Sequence, residues 1–241
     1  MKLSTRSPAV CAALLAAVPV LAATAPAHGD TAPGSIEDCP VQAFPPSQED
    51  RERYVCGDPR LGPLELPEEG PVAELTRTYE PFGGQSPRGF LHTWRTDGDT
   101  WGYPDHDGFV VEDGTPVTDT VDLEEGELLD RFGSPYGTFL APAGAPFEER
   151  ALPPDSLNTW PQGNEHNYSC YEVTADLEAL VGPIAPHFEQ PGGGEQVLVP
   201  AEGLPEVDAA PYAPVADLIN ADYLQERSAE ACVDHSPRVR R

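Results

Sequence analysis

The chain contains one lysine, Lys2, and it lies before the first apolar stretch. Beyond that position no lysine is available for Schiff-base chemistry, a Ser-Lys dyad or a phosphate-binding Walker lysine. Positive charge is scarce as well, with 14 Lys and Arg against 41 Asp and Glu, for a net charge of −27. A field of that sign repels nucleic acid and anionic membranes, both of which need basic patches, so neither is an expected partner. Long hydrophobic runs are also missing. The longest, Ala9 to Ala23, follows Lys2 and Arg6 and precedes the small-residue steps Ala23-Thr24-Ala25 and Ala25-Pro26-Ala27. This pattern reads as a secretory signal peptide over residues 1–27. It is too short to span a bilayer, and no later segment approaches about 20 apolar residues. Without residues 1–27, 12 basic residues face 41 acids, a net charge of −29, on a chain expected to be secreted and extracellular.

Cysteine is sparing but patterned. Of five, Cys11 falls in the apolar leader and Cys39, Cys56, Cys170 and Cys232 remain. An even count in an exported chain argues for two disulfides, with three pairings open. Cys39–Cys56 as a local staple and Cys170–Cys232 as a tie on the C-terminal segment are the favoured pair. With no CxxC and no nearby histidine pair, a zinc site is not expected.

The remaining sequence divides into a Pro-rich N-terminal module over 28–95, a larger domain over 96–230 and a basic tail over 231–241. The module, with VCGDPRLGPLELP and AELTRTYEPFGG, has few periodic segments and suits either a cap over a site or a structural extension. Leu64 and Leu66 alternate as an edge strand would. In the larger domain, LLDRFG reads as a strand delivering Arg131, Asn167 to Val173 as a buried strand, Asp176 to Val181 as a short turn, and Gln196 to Val199 as a strand. Pro214 to Gln225 places Val215, Leu218, Ile219 and Leu224 near one helical face and predicts a helix packed on the sheet. Strand-like segments joined by loops, without regular crossover helices, indicate an α+β fold with a mostly antiparallel central sheet and short helices.

One stretch stands out. Asp130 to Asn158, DRFGSPYGTFLAPAGAPFEERALPPDSLN, is too rich in Gly, Pro and Ala for a helix and reads as a shaped loop. Arg131 and Arg150 flank Phe132, Tyr136 and Phe139, with Gly133, Gly137 and Gly144 permitting close approach of backbone or ligand. Arginine forks beside aromatic faces suit a ligand with both phosphate and a flat ring. A surface loop held by its own aromatics fits the composition equally well. Asp105, His106 and Asp107 form a tight turn more readily than a metal site. Gly192-Gly193-Gly194 runs into a strand and is not a P-loop. Glu148 and Glu149 are adjacent, point apart, and so do not make the paired carboxylates of ordinary glycosidases.

Taken in order, WGYPDHDGF, the DRFG…ERALPPDSLN stretch, YEV and FEQPGGGEQ resemble the tuberculosis necrotizing toxin (TNT) domain family over about Trp101 to Gln225. CGDPRLGPLELP and FGGQSPRGFL also look like the N-terminal module of secreted relatives, fungal surface enzymes among them. The resemblance implies an NAD(P)+ glycohydrolase that splits nicotinamide from ribose and requires no cofactor. It implies catalytic roles for Arg131 and Gln196, and contacts to substrate from Phe132, Phe139 and Arg150. Arg131 and Arg150 would hold the pyrophosphate, and Phe132 and Phe139 would sandwich the nicotinamide. It also brings in His166 as a contributor to activity and a structural calcium with Asp208, Asp217 and Asp222 as candidate ligands. A homodimer is an expectation apart from the resemblance. The competing reading is a secreted, disulfide-stapled binding module without catalysis.

Overall fold

The structure, a computed structural model, describes residues 38–96, 99–161, 163–204, 207 and 211–234. The expected signal peptide, Asp208 and the basic end of the tail lie outside the described residues. Both disulfides form as favoured, Cys39–Cys56 and Cys170–Cys232.

Among the described residues short helices organise the N-terminal segment: α1 (Gln48–Arg53), α2 (Pro71–Leu75) and α3 (Pro87–Trp94). The starts of α1 and α3 are set by serines whose hydroxyls accept first-turn amides, Ser47 from Asp50 and Ser86 from Gly89, and α2 and α3 carry proline in the first turn. Leu64 and Leu66 make no strand; the sole ladder contact at this point is an isolated bridge between Tyr54 and Pro63. Phe90 and Leu91 of α3 pack with Leu61 and Phe188, and Trp101 closes on Phe90 and Phe188 edge-on. Gln190, buried, donates to the Glu80 carbonyl, and Gln85 donates to Glu189. Residues 80–101 therefore grip the 187–190 loop.

Among the described residues nine strands follow: β1 (Val111–Glu112), β2 (Thr115–Pro116), β3 (Asp119–Leu123), β4 (Leu128–Phe132), β5 (Ala141–Pro142), β6 (Tyr168–Val173), β7 (Leu177–Pro183), β8 (Glu195–Leu198) and β9 (Leu224–Arg227). All pairings among them are antiparallel, in a β1-β2 ribbon, a β3-β7-β8 sheet and a β5-β4-β6-β9 sheet. The α+β class with antiparallel sheets and short helices is what the sequence indicates. Leu129, Tyr171, Val173, Ala179, Val181 and Val197 fill the space between the two larger sheets. On the other face of β4, Phe132 joins Phe147, Tyr168 and the Cys170–Cys232 bridge.

Two segments differ from the sequence reading. Where a turn is expected over 176–181, the chain forms strand β7 (Leu177–Pro183), whose alternating Leu177, Ala179 and Val181 face the core. The helix expected over 214–225 stops at Asn220, as α4 (Val215–Asn220), and Leu224 belongs to β9. Asp222 takes a positive φ of 59°, which ends the helix and turns the chain onto β6, where backbone pairing wins over a helical repeat. A last short helix, α5 (Ala229–Val233), carries Cys232 back to β6.

Candidate active site

β5 begins at Ala141, opposite Asp130, so among the described residues β4 has no partner strand on that side beyond that point. A cavity of about 430 Å³ opens there, closed on its far wall by the 103–108 turn, the end of β7 and Gln196 of β8. That volume is in the range of small-molecule sites. Arg131, Phe132, Phe139, Arg150 and Gln196 all line it.

Because side chains of a strand alternate, β4 sends Asp130 and Phe132 to one face and Arg131 to the other. The two arginines thus meet the cavity in different states. Arg131 has no carboxylate partner among the described residues. Its Nε donates to the Ser134 carbonyl at 2.9 Å and its Nη1 to the Phe139 carbonyl at 2.6 Å. Two glycines make room for it: a Cβ at Gly137 would stand 1.9 Å from Nη2, and one at Gly133 would stand 2.6 Å away. Desolvation holds the Arg131 guanidinium below an arginine's ordinary pKa, with Tyr171 and Tyr103 pulling the other way. An anion in the cavity would relieve that cost.

Arg150 is buried and neutralised. Its Nη1 lies 2.6 Å from Asp130 Oδ1, in contact but without the N–H aimed along the oxygen, and its Nε and Nη2 both donate to the Ala145 carbonyl. Asp130 Oδ2 accepts the Tyr168 hydroxyl at 2.8 Å and the Gly144 amide at 2.9 Å. Burial, first, and the Asp130 charge, second, raise the Tyr168 pKa, so its hydroxyl stays a donor. The Arg150 guanidinium carbon sits 5.1 Å from the Phe132 ring centre. Phe147 and Tyr168 cover the same ring from other sides, at 4.9 and 4.8 Å, and Phe132 is only 3% exposed. It therefore offers no open face for a nicotinamide sandwich. Phe139, 39% exposed, and Tyr103, 62% exposed, are the accessible phenylalanine and tyrosine rings of the cavity.

Gln196 faces Gly182 across the β8–β7 ladder, and its Nε2 donates to the Asp107 carbonyl at 2.8 Å. The receiving turn is the one expected from Asp105-His106-Asp107-Gly108, with positive φ at His106, Asp107 and Gly108. It is pinned to the end of β7 by Val110 N–H to Pro183 and Ala185 N–H to Gly108. Sequence reasoning took this turn as structural and missed that it also forms a wall of the site. Asp130 was missed too; the signal was its place as the acid between an apolar pair and the arginine in LLDRFG. His166 does not line the cavity; its ring meets the Leu157 carbonyl. Glu148 and Glu149 do not line it either, and of the acids that do, Asp130 is ion-paired, so no pair of free carboxylates flanks the space. Among the described residues no three His, Cys, Asp or Glu side chains gather as a metal set.

A sequence profile described as tuberculosis necrotizing toxin matches residues 122–227. A conidial surface nicotinamide adenine dinucleotide glycohydrolase of Aspergillus fumigatus is 47% identical over 178 residues, covering 72% of this chain and 71% of its own. The solved structure of tuberculosis necrotizing toxin complexed with its immunity factor superposes with a TM-score of 0.50 at 21% identity, over 77% of this chain and 97% of that one, which shows a shared fold. The chain belongs to the tuberculosis necrotizing toxin family.

Proposed function

We propose that this protein is a secreted NAD(P)+ glycohydrolase that cleaves the nicotinamide–ribose bond to give nicotinamide and ADP-ribose or its phosphate. The observation that carries the site assignment is a single cavity joining an unneutralised arginine, exposed aromatic rings and a fixed amide. The nicotinamide of NAD+ leaves as a neutral ring from a cationic one, so cleavage needs neither a strong acid nor a cofactor. It needs a site that supports an oxocarbenium-like ribose and positions water. Arg131 is the pyrophosphate ligand, the sole such cation on the cavity among the described residues once Arg150 is counted with Asp130. Phe139 and Tyr103 hold the nicotinamide ring and shield it from water. Gln196 is anchored through Nε2, and its Oε1, which takes no donor among the described residues, accepts from a ribose hydroxyl or the attacking water.

Export from a leader over 1–27 is part of the same reading, supported by the two disulfides. So is a homodimer, for which Phe44, exposed on the N-terminal segment, supplies apolar surface and sedimentation the check. A calcium ion at Asp217 and Asp222, with Asp208, is tested by calcium titration of the chelated protein. The activity itself is tested with etheno-NAD at catalytic protein concentration. A rise in fluorescence with turnover supports the enzyme; binding without turnover would leave an interaction module.

A further inference from the structure

Asp130 and Arg150 form a closed pair at the cavity: the carboxylate is fully buried, the guanidinium nearly so, and both residues line the space. The Tyr168 hydroxyl and the Gly144 amide donate to one carboxylate oxygen and the Arg150 guanidinium lies against the other, so an acid and a base are matched one to one on this wall. A buried arginine needs a counter-charge wherever it occurs, and packing alone accounts for that much. Packing alone does not require the pair to line the cavity, which on the glycohydrolase reading takes a ring that changes charge during the reaction.

Resting on the NAD glycohydrolase reading above, we propose that Asp130 is a specificity-determining residue, which cancels the Arg150 charge so that the cavity accepts a cationic ring. In the substrate the nicotinamide nitrogen is quaternary and positive. When the C1′–N bond breaks, its electron pair stays on the ring nitrogen and the ring becomes neutral. The positive charge passes to C1′ and O4′ of ribose, water adds its oxygen to C1′, and one proton goes to solvent. A bare guanidinium at this wall would repel the ring before cleavage but not after it. Its cost would therefore fall on binding and not on the bond-breaking step, a sign that distinguishes it from mere loosening of the fold.

Asp130→Asn tests this, since the amide keeps the shape and the acceptor for Tyr168 and Gly144 while removing the charge. Inhibition of etheno-NAD cleavage is measured with two probes, nicotinamide and its N-methyl cation. The variant should weaken the cation by about tenfold more than nicotinamide, a difference of about 1.4 kcal/mol. KM for NAD+ should rise by a similar factor with kcat little changed. Equal weakening of both probes, or a loss confined to kcat, would overturn the proposal and leave Asp130 a structural residue. A measurement on the native protein stands whether or not the variant folds. Native protein should bind the cation at least as tightly as nicotinamide, and exclusion of the cation would overturn the proposal. Native protein that fails to cleave NAD+ at all would instead remove the glycohydrolase reading on which it rests.

Discussion

Two arginines reach one cavity through opposite kinds of surroundings. Arg131 lies between glycines and carbonyl oxygens, with no acid in contact among the described residues, while Arg150 lies against a carboxylate, a carbonyl and an aromatic ring. The sequence offers them as equals, both flanking one aromatic loop. Their neighbours separate the roles, because a guanidinium held by carbonyls keeps its net charge for a ligand, whereas one held by a buried carboxylate has used it. Charge count along a chain does not say which arginine is available; the groups that meet each guanidinium in the fold do.

The largest effect should come from breaking the closed pair. Arg150→Ala strands the Asp130 carboxylate in the interior, which typically destabilises by about 3–5 kcal/mol. For a domain of this size that lowers the thermal midpoint by roughly 10 °C. A variant that melts with the native protein and only raises KM would erase the distinction between the two arginines. The disulfides come next. By loop-closure entropy the Cys170–Cys232 bridge, with a sequence separation of 62, contributes roughly 4 kcal/mol, and Cys39–Cys56, with 17, roughly 3 kcal/mol. Cys170 stands opposite Asp130 in the β6–β4 register, so replacing both cysteines of that bridge by serine should lower activity as well as the melting temperature. Serines at Cys39 and Cys56 should lower the melting temperature alone, and paired calorimetry and kinetics on both variants check the contrast.

Much of this site is legible in the sequence because its chemistry is concentrated in one loop and one glycine-preceded strand. LLDRFG reads as a strand, and FEQPGGGEQ leads to Gln196, whose amide does reach the same cavity as Arg131. What stays hidden is long-range pairing. Nothing near Arg150 in the chain announces that Asp130 will neutralise it, since the contact depends on the loop folding back after β5. Phe132 is an aromatic beside an arginine in sequence, yet three neighbours cover its ring. The shortened helix after Pro214 fails for a related reason: its apolar spacing is helical, and the demand of β6 for an edge partner decides the last residues.

Gln196 belongs to neither arginine, and its loss should therefore leave stability nearly untouched while slowing the reaction. Gln196→Ala should lower kcat by about 10²-fold, the usual cost of one positioned polar group in a transition state, with little change in KM. Steady-state kinetics on NAD+ separates the two parameters. A rise in KM with kcat intact would make Gln196 a binding contact and move the chemistry toward the Arg131 side.

The smallest expected effect tests the open arginine directly. Arg131→Lys keeps a positive charge, but an ammonium has no planar fork with which to hold the Ser134 and Phe139 carbonyls and still present parallel N–H groups to a pyrophosphate. KM for NAD+ should rise by about tenfold, or about 1.4 kcal/mol, with kcat little changed. The melting temperature should also stay close to native, because no buried partner is left unpaired. Gly137→Ala should reach the same state from the other side. Its Cβ would stand 1.9 Å from Nη2, so the guanidinium must leave its cradle although its charge and length are unchanged. If the two variants raise KM alike, the position of the Arg131 fork is what binds the anion. If Gly137→Ala binds NAD+ as the native protein does, the cradle is dispensable and the contrast with Arg150 reduces to charge alone.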